Sequence, residues 1–154
     1  MPSQQWSADG FVALIALLHG NVAFTDISLF WSPGATDDPL HPGDDAKAAQ
    51  IIAALKSHGI SVTPSPTATL RDLIDQMALV DIIVCADGGA LHVAAGLGKP
   101  VVALFGDSEV KRWHPWGVPY VALQKPSLTV ADIAPEEVFA ALVQLTSPCI
   151  PINK

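Results

Sequence analysis

Two turns hold the side chains best suited to chemistry in this chain. The first is Asp87-Gly88-Gly89-Ala90-Leu91-His92. Adjacent glycines remove side chains where a backbone would have to approach a ligand. The helix expected to follow offers unpaired N–H groups and a partial positive charge at its N-terminus. That is a setting for a phosphate or diphosphate. His92 falls about one turn into that helix, where its imidazole reaches the same anion. A plainer reading weighs equally on spacing alone: Asp87 caps the helix, the glycines make a tight turn, and His92 fills the core. The segment is neither GxGxxG nor a P-loop.

The second turn is Phe105-Gly106-Asp107-Ser108, running on through Lys111-Arg112-Trp113-His114-Pro115-Trp116-Gly117. Two cations, a histidine and two tryptophans crowd into one short stretch of an acidic chain. Lys111 or Arg112 would stand near phosphate, and Trp113 would wall a nucleotide or sugar pocket. For the tryptophans themselves, burial as loop anchors is slightly favoured. A third loop, Trp31-Ser32-Pro33-Gly34, would lie under a base or merely turn the chain. Asp37, Asp38, Asp44 and Asp45 read as a solvated, helix-starting patch rather than a metal site. His19, His41 and His58 have no partner spacing and read as surface or helix-end residues. No Ser-His-Asp, Cys-His or paired-carboxylate arrangement stands out, so neither metal nor cofactor is expected.

The elements that position these turns follow from pattern. Ser7 precedes an apolar helical run that ends near Gly20. Ile27 to Trp31 reads as a short buried strand. Asp44 and Asp45 open a helix through Leu55, and Ile60-Ser61-Val62 is a further strand. Leu70 to Leu79 is amphipathic, with Leu70, Leu73, Ile74 and Met77 on one face. Asp81 to Cys85 and Val101 to Phe105 are continuous apolar runs, as in strands covered on both faces. The small-residue helix Ala90 to Leu97 lies between them. A loop covers 106–118, Tyr120 to Leu123 is a short strand, and Pro135 starts a closing helix through Leu145. Strands alternating with helices imply right-handed crossovers and a parallel sheet. The fold class is therefore α/β: a Rossmann-like three-layer α/β/α sandwich, with the strands near Ile27, Ile60, Asp81 and Val101 parallel in one sheet. Ligands of such sheets bind outside the carboxyl ends of the strands.

Composition bounds the rest. The 154 residues are 50% hydrophobic and 15% charged, enough apolar material for one domain over 1–154. A net charge of −7 argues against a nucleic-acid partner, which needs a basic face, but not against one small anion. Cys85 and Cys149 form no zinc or disulfide pattern and suit a reducing cytosol. Met1-Pro2-Ser3-Gln4-Gln5-Trp6 lacks the charged n-region expected of a signal peptide. The run Phe11 to Leu18 is too short for a transmembrane segment.

The stretch 86–106 resembles the signature of family-nine glycosyltransferases, the ADP-heptose:lipopolysaccharide heptosyltransferase type. It carries Asp87-Gly88-Gly89-Ala90-Leu91-His92, a small-residue helix, Gly98-Lys99-Pro100 and a strand ending in Phe105-Gly106. Trp113-His114-Pro115-Trp116-Gly117 and Thr69-Leu70-Arg71-Asp72-Leu73 are similar to family segments as well. The resemblance implies one half of an enzyme with two Rossmann-like domains facing across a cleft. This half would bind a nucleotide-sugar donor, commonly ADP-heptose, with Asp87, Gly88, Gly89 and His92 holding the diphosphate. Asp44 or Asp45 would fall near the ribose. The catalytic base and the site for a lipopolysaccharide-core or other glycan acceptor would lie on the N-terminal domain, so the isolated chain would be inactive. Such enzymes work in the cytoplasm or at the inner face of the inner membrane. Three departures stand out. Gly88 replaces the usual Ser or Thr. Gln4 and Gln5 stand where the family often has a lysine before the tryptophan matching Trp6. The chain also begins about where the domain's first strand should have ended, leaving an exposed edge. Gly88 and the missing lysine favour an alternative, a non-catalytic nucleotide-binding or interaction module. A sugar-nucleotide epimerase half is a distant third.

Overall fold

The computed structural model describes residues 5–39 and 42–147. His41, Cys149 and the first four residues lie outside them. The order is α1 (Ala8–His19), β1 (Ser28–Trp31), α2 (Asp45–Ser57), β2 (Thr63–Pro66), α3 (Leu70–Ala78), β3 (Ile83–Ala86), α4 (Gly89–Gly96), β4 (Val101–Phe105), α5 (Val110–Trp113), β5 (Tyr120–Gln124) and α6 (Pro135–Thr146).

Local chemistry sets the helix starts. Ser7 Oγ accepts from Gly10 N at 3.0 Å and caps α1. At α3, Asp72 N donates to Thr69 Oγ1 at 3.1 Å while Thr69 N donates to Asp72 Oδ2 at 2.9 Å, a reciprocal capping box. Pro135 opens α6, and Glu137 Oε2 accepts from Ala134 N at 2.9 Å. The amphipathic face expected on α3 is only partly buried. Met77 is in the core and Leu73 packs against it, but Leu70 is 64% and Ile74 37% exposed.

Helices cover both faces of the strands, giving the three layers. On β4 the alternation is clean: Val102 and Leu104 face α1 and α6, while Val101, Ala103 and Phe105 face α3 and α4. A third cluster joins Ile15 of α1 and Leu29 of β1 to Ala48, Ile51 and Leu55 of α2. Trp6 closes one end, its indole N–H donating to the Ile133 carbonyl at 2.9 Å.

Every strand pair is parallel, β1 with β2, β3 with β4, and β4 with β5. The strands do not form one continuous sheet, however. They make a two-stranded ladder, β1-β2, and a three-stranded ladder, β3-β4-β5. Among the described residues no strand lies between β1 and β3 to carry the bonding across. The expected strand Ile60 to Val62 is also displaced, to Thr63–Pro66. Thr63 N donates to the Ile27 carbonyl and Thr67 N to the Trp31 carbonyl, at 2.8 and 2.9 Å. Parallel pairing uses alternate residues, so Pro64 and Pro66 point their missing donors away from β1.

Candidate functional site

The Asp87–His92 turn joins β3 to α4 at the carboxyl end of the central strands. Asp87 N donates to the Leu104 carbonyl at 2.9 Å, continuing the β3-β4 ladder by one residue. Gly88 then takes the N-cap position of α4, and no side chain caps the helix. Asp87 is therefore not the cap. Gly88 and Gly89 are exposed, and a Cβ built on either meets nothing within 4 Å. The first turn of α4 thus opens onto free space with its N–H dipoles unscreened. His92 is exposed as well, so it is not a core residue.

The 106–118 loop reaches this mouth. It contains the short helix α5 inside the stretch expected as loop. Gln124 Nε2 pins its start, donating to the carbonyls of Gly106 at 2.7 Å and Ser108 at 2.9 Å. The Trp113 ring lies edge-on to the His92 imidazole at 6.2 Å, and the Arg112 guanidinium sits 5.2 Å over the Trp113 ring. His92, Trp113 and Arg112 are thereby brought together, and Lys111 is exposed on the same short helix. The tryptophans are not the loop's anchors. Trp113 is 44% and Trp116 68% exposed, while Pro115 is fully buried and Val110 packs under α4. Trp116 and Tyr120 instead stack on His114, at 4.8 and 5.2 Å.

The acidic pair ahead of α2 divides its roles. Asp45 braces the third loop, accepting from Trp31 Nε1 at 2.7 Å and from Gly34 N at 2.9 Å. Trp31 is thus held by its own loop; its indole is turned to Asp45. Asp44 lines a cleft of about 180 Å³ with Lys47, Trp6, Cys85 and Ala86, the last directly before Asp87. Lys47 escaped the sequence reading because nothing in its spacing sets it apart. Its ammonium donates to the Trp6 carbonyl at 2.5 Å and lies 5.3 Å over the Phe11 ring. It supplies a cation in the cleft where none stands at Gln4 or Gln5. Burial pushes the Cys85 thiol up to about 12, with the Asp87 carboxylate adding to the effect. Among the described residues, no group of His, Cys, Asp and Glu could hold a metal ion.

The model of glycosyltransferase family 9 (heptosyltransferase) matches residues 2–137. The chain belongs to this family. A solved Escherichia coli ADP-heptose lps heptosyltransferase II is 25% identical with a TM-score of 0.76, over 94% of this chain and 42% of that one. E. coli heptosyltransferase WaaC with ADP is 16% identical with a TM-score of 0.74, over 94% and 41%. The glycosyl transferase family 9 protein from Veillonella parvula DSM 2008 is 19% identical with a TM-score of 0.70, over 94% and 42%. This family 9 chain therefore spans about two-fifths of the length of the solved relatives it matches. No curated protein sequence matches it. Among the described residues, no helix is long and apolar enough to cross a membrane.

Proposed function

We propose that residues 1–154 form the donor-binding domain of a heptosyltransferase-type glycosyltransferase, taking a nucleotide sugar, with ADP-heptose the first candidate. The single observation carrying this reading is the uncapped, unobstructed N-terminus of α4 with His92 on its first turn and Trp113 beside it. Family membership supports the chemistry, and one relative, E. coli heptosyltransferase WaaC, was solved both with ADP and with ADP-2-deoxy-2-fluoro heptose.

In this reading the diphosphate lies on the Gly88–Ala90 amides. His92 donates to it, and Lys47 and Arg112 approach from either side. Asp44 is placed for a ribose hydroxyl and Trp113 walls the pocket. Transfer is a direct displacement. An acceptor hydroxyl oxygen attacks the anomeric carbon, the bond from that carbon to the diphosphate oxygen breaks, and the hydroxyl proton passes to a base. The helix dipole and His92 stabilise the charge that grows on the leaving diphosphate. The base and the acceptor contacts are assigned to a second domain, with a lipopolysaccharide-core or related glycan as acceptor. The setting is cytoplasmic. Residues 1–154 alone then bind nucleotide and transfer nothing, since catalysis requires donor and acceptor at near-attack distance.

Titration of the chain with ADP by calorimetry tests the assignment. A charge-assisted hydrogen bond contributes roughly 1.5–3 kcal/mol, so His92→Ala weakens ADP by about one to two decades. Equal affinity for wild type and variant refutes the site. Failure of the folded wild type to bind ADP or UDP favours a non-catalytic module, the reading to which Gly88 and the absent lysine at Gln4 and Gln5 point.

A further inference from the structure

The ladder between β4 and β5 ends at the rung that pairs Phe105 with Gln124. Beyond it the main chains part, and a side chain takes over. The Gln124 amide donates to two carbonyls of the chain leaving β4, Gly106 at 2.7 Å and Ser108 at 2.9 Å. That uses both N–H donors of the amide. Both partners are acceptors, which fixes the end of the amide that faces them.

These two carbonyls set the heading of the chain into α5. A helix of four residues has no stability of its own. The helix α5 contains no fully buried residue, and its N-cap Glu109 makes no side-chain cap bond. Its place is imposed by what holds its ends. Val110 packs against the cluster that contains Leu91 of α4, and Pro115 is fully buried beyond it. Both are apolar contacts, which resist withdrawal but are non-directional. The paired hydrogen bonds are directional. They fix the peptides of 106–108, and through them the side of α5 that meets α4. There Trp113 lies edge-on to the His92 ring at 6.2 Å, with the Arg112 guanidinium 5.2 Å over Trp113.

We propose that Gln124 is a positioning residue of the donor site, acting through the main chain of 106–108 to hold Trp113 and Arg112 beside His92. The role rests on the diphosphate lying at α4. Gln124 acts on the loop and not on the ligand. Without its two donors, the chain at 106–108 turns its carbonyls to water and α5 swings away. His92 then meets the diphosphate without Trp113 or Arg112. Because Gln124 is exposed at the end of β5, the loss falls on the site rather than on the fold.

Gln124→Glu and Gln124→Met test this. Both keep a side chain of similar length and remove the amide donors, and the second adds no charge. Each is read by thermal melt, by the His92 ring resonances in NMR and by calorimetric titration with ADP, beside Trp113→Leu and His92→Ala. Melts within about 2 °C of wild type are expected. The His92 resonances, shifted in wild type by the Trp113 ring current, move in both variants towards their positions in Trp113→Leu. ADP affinity falls by about threefold to tenfold, a fraction of what two neutral hydrogen bonds contribute. Unmoved His92 resonances overturn the proposal. So does a loss of affinity confined to Gln124→Glu, which marks charge and not position. A melt lowered by many degrees in both variants also overturns it, since Gln124 is then a brace of the whole fold. His92→Ala separates this from failure of the underlying site. If that variant binds ADP like wild type, the diphosphate is not at α4 and the proposal falls with it. If it binds weakly while both Gln124 variants bind normally, the proposal alone falls.

Discussion

Gly89→Val separates binding from folding at the candidate site. A Cβ at position 89 meets no heavy atom of the protein within 4 Å, so valine creates no internal clash. Gly89 is the first residue of α4, where helix propensities of glycine and valine differ by less than ~1 kcal/mol. An exposed substitution of this kind leaves stability within about 0.5 kcal/mol of wild type. The two added methyl groups nevertheless stand directly before the first-turn amides. If a diphosphate loses two amide hydrogen bonds, each contributing roughly 1.5–3 kcal/mol to a charged acceptor, binding falls by at least about a hundredfold. Calorimetric titration with ADP, run beside a thermal melt, reads both quantities. An unchanged melt with a loss of two decades in affinity is expected. Unchanged ADP affinity in a normally folded Gly89→Val protein refutes the placement of the diphosphate on α4.

Other perturbations have equally definite outcomes. Trp6→Phe keeps the ring in the core but strands the buried Ile133 carbonyl, so urea denaturation should show a loss of about 1–3 kcal/mol. Lys47→Met keeps a side chain of similar length and removes the cation that lies over Phe11, so it should weaken ADP more at low salt than at high salt; identical salt dependence to wild type contradicts a role for Lys47 at phosphate. The thiol of Cys85, held up to about 12, stays protonated at pH 8, so iodoacetamide should label the native chain far more slowly than the urea-unfolded one. Because the native state holds that proton more tightly, stability should fall as pH rises from the ordinary thiol value of 9.0 towards 12. Glu137 works in the opposite direction. The hydrogen bond from Lys125 holds its carboxyl below the ordinary glutamate value, aided by Ala134 N. Its small contribution is present above that value and disappears as pH falls through the lowered one. Glu137→Gln should flatten that part of the acid profile.

The central part of the fold was legible because its residues carry one message at every level. Ile83 to Ala86 and Val101 to Phe105 are apolar and each opens on two β-branched residues, and Gly98-Lys99-Pro100 punctuates the chain between α4 and β4. Thr63–Pro66 escaped because two prolines in four residues argue against a strand, and only the parity of parallel pairing shows that both fall on the free edge. The break between β1 and β3 is invisible to local pattern, since each strand looks complete by itself. At the candidate site, Gly88, Gly89 and His92 stood out by type. The exposure of Trp113 and Trp116 did not, because aromatic density signals burial as readily as a binding wall, and burial here falls to Pro115 and Val110. Lys47 became visible only when folding brought α2 to the Trp6 carbonyl.

Helix α1 has a consequence for how the domain comes apart. Leu14 and Leu18 lie in the cluster shared with α6 and β4, while Ile15, on the adjoining face, lies in the cluster with β1 and α2. One helix therefore belongs to two cores whose strands share no backbone bonding. Among the described residues, cooperativity between the halves passes through side-chain packing, chiefly on α1 and at Ile27, which touches both clusters, rather than along a ladder. Such a linkage can open sub-globally, with β1, α2 and β2 released as one unit while β3, β4 and β5 remain protected. Leu14→Ala and Ile15→Ala should then loosen different halves of the molecule. Native-state exchange would show two steps of opening where a continuous sheet would show one.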